Sequence, residues 1–122
     1  MAISEAESRI MEVLWRRGPL VVEDIISDVA PRQGWSDATV KSLIGRLLKK
    51  KALGSARREG RTVYEPLVAQ ADYVTAESRN FLDRIFGGRL VPLVSHFAEH
   101  ENLSAEDIAQ LKALVKRFDH GD

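Results

Sequence analysis

Eight of the chain's eighteen Lys and Arg residues fall between positions 41 and 61: Lys41, Arg46, Lys49, Lys50, Lys51, Arg57, Arg58 and Arg61. One carboxylate, Glu59, lies among them, so this stretch carries +7 while the 122 residues together sum to zero. The charge is therefore segregated along the chain, which solubility alone does not require. A basic stripe set apart in this way points to a polyanionic partner, with nucleic acid foremost. The chemistry on offer is recognition: lysines and arginines neutralise phosphates, and a guanidinium can also donate two hydrogen bonds to the O6 and N7 of a guanine.

Other reactive residue types are sparse. The chain has no cysteine, which rules out disulfides, thiolate metal sites, iron–sulfur clusters and cysteine nucleophiles. His96 and His100 lie four apart on an expected helix, a spacing that can chelate zinc. The metalloprotease pattern, however, needs Glu directly after the first His, whereas Glu99 stands just before the second. Surface histidines account for the pair, and no metal or cofactor is expected. No Ser, His and carboxylate set suggests a nucleophile. A nuclease would need metal-holding carboxylates within the basic stretch, where only Asp37 and Glu59 are near. The reading is a binding protein and not an enzyme.

At 122 residues the chain fits one ordinary domain, or a small domain of about 70 residues with an appendage. Hydrophobic residues make up 44% and charged residues 30%, a globular balance with no apolar run long enough to span a bilayer. The first ten residues include Glu5 and Glu7 and lack the basic, apolar, small-residue order of a secretory signal, so a cytoplasmic location is expected.

The elements that must position the cations follow from local punctuation. Ser4 with Glu7 reads as a capping box opening a helix over 5–17, with Ala6, Ile10, Val13 and Leu14 inward and Gly18-Pro19 as its stop. Leu20 to Val22 is a short extended link. Glu23 and Asp24 begin a second helix of roughly two turns, with Ile25, Ile26 and Val29 inward, ended by Pro31. Ser36 is the expected N-cap of a third, with Val40, Leu43, Ile44, Leu47 and Leu48 at helical spacing and Gly54 closing it. Residues 55–59 and 61–66 then alternate as two strands about a Glu59-Gly60 turn.

Three helices followed by a basic hairpin is the order of a winged helix-turn-helix, whose third helix enters the major groove. With the apolar stripe buried, the opposite face of that helix shows Thr39, Lys41, Ser42, Gly45, Arg46 and Lys49. Ser36, Thr39 and Ser42 near the helix start can reach base edges or backbone oxygens. Lys49, Lys50 and Lys51 and the hairpin residues Arg57, Arg58 and Arg61 suit phosphates. A lone lysine run would be a solvated helix end complementing the dipole; the neighbouring arginines favour nucleic acid instead. Trp35 precedes the apolar helix and reads as a packing anchor. A winged-helix module that binds protein, or a nonspecific DNA binder, is the alternative.

From Ala69 onward nine acidic residues stand against six basic, and the boundary is placed there: residues 1–68 for DNA binding, 69–122 for dimerisation. Three helices are expected in the second part. Val74, Phe81, Leu82, Ile85 and Phe86 line the first, which Gly87-Gly88 ends; Leu90, Val91, Leu93, Val94 and Phe97 line the next; Ile108, Leu111, Leu114, Val115 and Phe118 line the last, opened by Ser104. About fifty residues of amphipathic helix can hardly make a stable core alone, and a second copy would bury the remaining faces.

These residues resemble the penicillinase-repressor family of winged-helix transcription repressors, of BlaI, MecI and CopY type. The likeness runs from Ile3-Ser4-Glu5-Ala6-Glu7 and Val13-Leu14-Trp15 through Trp35-Ser36, Thr39-Val40-Lys41-Ser42-Leu43, Arg46-Leu47 and Lys49-Lys50. It continues with Gly60-Arg61, Tyr64-Glu65-Pro66-Leu67-Val68, Phe81-Leu82, Phe86-Gly87-Gly88 and Leu103-Ser104. The resemblance implies a homodimer on a palindromic operator, read through residues matching Thr39, Lys41, Ser42 and Arg46. The copper-responsive branch carries metal-binding cysteines that are missing here, so the chain looks like the β-lactam-responsive branch or one with another signal. In that branch a membrane sensor triggers cleavage at an Asn-Phe bond in the middle C-terminal helix. The matching pair is His96-Phe97, with the Phe present and the Asn replaced.

Overall fold

The computed structural model describes residues 2–119. Its elements run α1 (Glu5–Arg17), α2 (Val22–Gln33), α3 (Asp37–Lys49), β1 (Leu53–Arg58), β2 (Arg61–Pro66), α4 (Gln70–Phe86), α5 (Leu90–His100) and α6 (Ala105–Asp119). The capping box at α1 is formed in both directions: the Glu7 amide donates to Ser4 Oγ at 3.1 Å and the Ser4 amide to Glu7 Oε1 at 2.8 Å. Gly18 follows α1 with φ 88°, a conformation that stops the helix where Gly18-Pro19 predicts.

Helix α2 is longer than its sequence suggests. Pro31 does not end it but sits inside its last turn, and the helix continues to Gln33. The bond lost at Pro31 is one near the helix end, where the turn is closed by Gly34 in the left-handed region donating its amide to the Ala30 carbonyl. The extended link before α2 also does more than connect: Leu20 pairs with Tyr64 of β2 through two backbone hydrogen bonds of 3.2 and 2.8 Å, a one-residue bridge that ties the link to the edge of the two-stranded hairpin.

The end of α3 departs from the expected Gly54 stop. Lys50 caps the helix, Lys51 takes the left-handed conformation with φ 63°, and Ala52 and Lys51 donate backwards to the Leu47 and Leu48 carbonyls at 3.0 Å. This is a Schellman closure in which a lysine occupies the position that glycine usually takes. Gly54 lies instead in β1, where an added Cβ would come within 3.1 Å of the Leu67 side chain. β1 and β2 pair antiparallel from Leu53↔Pro66 to Arg58↔Arg61, and Glu59 and Gly60, both at positive φ, form the two-residue turn that matches strand twist.

Two compact units divide after Val74. In the first, α1, α2, α3 and the hairpin close around Ile10, Met11, Leu14, Ile25, Val40, Leu47 and Leu53, all of them essentially inaccessible. Burying each large apolar side chain of this kind contributes about 1.5–3 kcal/mol. The division falls inside α4 and six residues beyond Val68, because Tyr73 packs on Trp15 with ring centroids 5.3 Å apart and so belongs to the first core. Val74, expected with the second part, lies in the first unit.

The second unit holds the rest of α4 with α5 and α6. Gly87 and Gly88, both at positive φ, end α4; Pro92 sits in the first turn of α5; Ser104 Oγ accepts the Asp107 amide at 3.0 Å to open α6. Among the described residues none in these helices is buried. Leu82, Phe86, Leu93, Val94 and Leu111 are half-buried, while Phe81, Ile85, Leu90, Phe97, Ile108, Leu114, Val115 and Phe118 are exposed. An open apolar groove of about 610 Å³ runs between α5 and α6, lined by Leu93, Phe97, Leu103, Leu111 and Leu114 among others.

Candidate nucleic-acid interface

The helical period of α3 sorts its residues cleanly. Val40, Leu43, Ile44 and Leu47 are buried in the core, and Ser36, Thr39, Lys41, Ser42, Gly45, Arg46 and Lys49 are exposed. The start of the helix is rigid: Ser36 Oγ accepts the Thr39 amide at 3.2 Å and lies 3.1 Å from the Thr39 hydroxyl. Both hydroxyls keep further hydrogen-bonding capacity toward solvent. The side chains of Lys41, Arg46, Lys49 and Lys51 form no hydrogen bond or ion pair among the described residues, so their charge is available outward.

The remaining basic residues are engaged within the chain. Arg57 is folded over its own turn, donating to the Gly60 carbonyl at 2.8 Å and to Thr62 Oγ1 at 3.3 Å. Arg58 lies 3.5 Å from Glu65, and Arg61 lies 3.6 Å from Glu23 of α2. The two ion pairs are exposed and long, worth about 0.2–1 kcal/mol each, so a phosphate could displace either carboxylate at small cost.

Lys50 is the exception. Its ammonium donates to Glu7 Oε1 at 2.5 Å and to the Ala2 carbonyl at 2.8 Å, and Glu7 is only 1% exposed. Burial by itself would raise the Glu7 carboxyl pKa, but the bonds from Lys50 and Ser4 outweigh it and hold the group below its ordinary value. The run Lys49-Lys50-Lys51 thus divides, with Lys50 turned to the protein and its neighbours to solvent.

A second ion cluster lies away from this face. Asp28, with a side chain 10% exposed, receives Arg16 at 2.8 Å, Arg17 at 2.9 Å and Arg32. Burial raises its pKa, but the three guanidiniums lower it further, to about 2. The cluster ties the end of α1 to α2 and leaves no bare cation for a ligand. His96 and His100 lie one turn apart with their rings tilted and centroids 4.5 Å apart, and among the described residues no set of three or more His, Asp or Glu is placed to hold a metal.

The model of the penicillinase repressor family matches residues 3–117. The chain belongs to the penicillinase repressor family. A penicillinase repressor of Bacillus licheniformis is 34% identical over 115 residues, covering 93% of this chain and 89% of that protein. The methicillin resistance regulatory protein MecI of Staphylococcus aureus is 30% identical over 115 residues, covering 94% of each chain. The solution structure of monomeric Bacillus licheniformis BlaI in complex with the blaP half-operator is similar at 30% identity and TM-score 0.55, over 60% of this chain and 89% of that one.

Within this family fold, the first unit is a winged helix-turn-helix, with α3 as its third helix and the β1–β2 hairpin as its wing. Sequence reasoning placed the free cations of α3 on one face but missed what restrains the others. Glu23 and Glu65 lie outside the basic stretch of residues 41–61, and the capping box by itself explains an acceptor at Glu7. A charge complement in a different element leaves no local spacing signal.

Proposed function

We propose that the chain is a DNA-binding transcriptional repressor that grips a palindromic operator as a homodimer, with α3 in the major groove and the wing along the adjacent backbone. The observation that carries this reading is the row of four outward cations whose side chains have no partner among the described residues, Lys41, Arg46, Lys49 and Lys51, beside a hairpin of three arginines. Arg46 and Lys41, with Ser36, Thr39 and Ser42, supply base-edge and backbone contacts; Lys49 and Lys51 meet phosphates; Arg57, Arg58 and Arg61 join them by exchanging carbonyl or carboxylate for phosphate.

Dimerisation through the second unit is supported by its uncovered apolar side chains, Phe81, Ile85, Leu90, Phe97, Ile108, Leu114, Val115 and Phe118, which a symmetric partner would cover together with Leu82, Phe86, Leu93, Val94 and Leu111. The β-lactam-linked release route implied by the family likeness is a cut at His96-Phe97, ordered by a membrane sensor. Both residues are exposed in mid-α5, so severing that bond would break a helix of the dimerising unit. No helix among the described residues is long and apolar enough to cross a membrane.

The test is selection of duplexes from a randomised pool followed by titration of the winner against bulk DNA. A specific repressor prefers its site by roughly a thousandfold or more. The five phosphate-facing cations of each copy, Lys49, Lys51, Arg57, Arg58 and Arg61, give ten contacts per dimer and a log–log salt slope of about −9. Equal affinity for all duplexes would leave a nonspecific binder, and no affinity at all would leave a protein-interaction module.

A further inference from the structure

Glu7 and Lys50 meet at the joint between the two elements that face DNA. Lys50 is the C-cap of α3; Lys51 turns the chain; Ala52 donates to Leu47 of α3 and accepts from Leu67 at 2.8 Å; β1 begins at Leu53. Whatever holds Lys50 therefore sets where the reading helix ends and how the wing leaves it. The holding group is a carboxylate on α1 that is itself immobilised, because the Oε1 atom that accepts Lys50 also accepts the Ser4 amide. The same ammonium reaches the Ala2 carbonyl, so one side chain staples the segment before α1, α1 itself and the helix–wing joint.

The capping role explains why residue 7 carries an acceptor, but it does not require a charge, since Gln serves in a capping box as well as Glu. A full charge kept at 1% exposure demands compensation, and Lys50 supplies it. We infer that Glu7 is a positioning residue for DNA recognition: through Lys50 it fixes the angle between α3 and the wing, and Lys50, unlike Lys49 and Lys51, takes no phosphate. This rests on the reading of α3 and the hairpin as the DNA-binding face.

The test compares E7Q, K50Q and the double variant E7Q/K50Q, using the duplex selected by the wild-type full chain and a scrambled duplex of equal length. Urea titration at the binding temperature first establishes which variants are fully folded in the absence of urea. The double variant buries no uncompensated charge, and it remains informative where K50Q alone does not fold. The expected result is a loss of preference for the selected duplex of about tenfold in E7Q and in the double variant, with the salt slope unchanged from wild type. The double variant should lose no more than the worse single change, as for two groups acting as a unit.

A purely structural pair would lower the urea midpoint and leave the preference between duplexes intact, and that result overturns the inference. A slope reduced by about 1.8 per dimer in the double variant, with E7Q binding more tightly than wild type, overturns it as well, since Lys50 would then be a phosphate ligand for which Glu7 competes. If the wild type itself shows no preference for any duplex, the failure lies in the DNA-binding reading and not in this pair.

Discussion

Trp15 donates its indole N–H to the carbonyl oxygen of Val68 at 2.9 Å, across 53 residues of chain. The bond fixes the segment between β2 and α4, and the Trp15 ring also packs against Tyr73 in the first turn of α4. Replacing Trp15 by Phe keeps much of the aromatic packing and removes the donor. A half-buried carbonyl left without its partner costs about 1–2 kcal/mol, so W15F should unfold in less urea by that margin. Hydrogen exchange should quicken first in the amides of residues 68–74; unchanged protection there would mean the bond anchors nothing.

Asp28 gives the fold a defined acid limit. Its carboxyl has an ordinary value of 3.8 and is held at about 2 in the folded chain, so the unfolded state binds the proton more readily. The stabilisation is complete above the unfolded value and is lost as pH falls toward about 2. Its size is about 2 kcal/mol at most, lessened by salt because Arg16, Arg17 and Arg32 are roughly half exposed. D28N should lie below wild type in urea stability at neutral pH, and the two curves should converge between pH 4 and pH 2. A gap that stays constant over that interval would count against the cluster.

What could be read from the sequence divides along the range of the interaction. The start of α1 at Ser4, that of α3 at Ser36, and the Glu59-Gly60 turn are local events, each decided by two to four neighbouring residues, and all three lie where their residue types place them. The apolar spacing of α3 likewise identified its outward face. Pro31 and Gly54 misled because both are strong punctuators whose local preference was overridden: Gly34 closes α2 after the proline, and Lys51 takes the turn that Gly54 was expected to make. The links from Glu7 to Lys50, Glu23 to Arg61, Trp15 to Val68 and Leu20 to Tyr64 join residues 38 to 53 positions apart. No period or motif connects such residues, so only packing reveals them.

Lys51 separates folding from binding. Its φ of 63° costs a residue with a Cβ about 1 kcal/mol relative to one that adopts the left-handed region freely. K51G should therefore raise the urea midpoint, by about 0.5–1 kcal/mol, while removing an outward cation next to the recognition helix. Affinity for a selected duplex should fall, and the salt slope should become shallower by about 0.9 per copy. Loss of both stability and affinity would show that the lysine stem packs on the protein and that its charge is incidental.

Phe118 tests the association of the second unit without disturbing the single chain. The side chain is 65% exposed, so replacing it by Asp removes little packing from a monomer and adds a charge where water already reaches. In a dimer that buries this position the same carboxylate would have to be desolvated with no cation opposite, a penalty of several kcal/mol for the two symmetric copies. Sedimentation at micromolar concentration should find wild type as a dimer and F118D as a folded monomer with unchanged helical content by circular dichroism. Binding to one half-site should survive in F118D, while the gain in affinity from a second, inverted half-site should vanish, since two independent heads lose the effective concentration that joining them provides. A dimer that persists in F118D would place the interface on a different set of the exposed residues and leave α6 outside it.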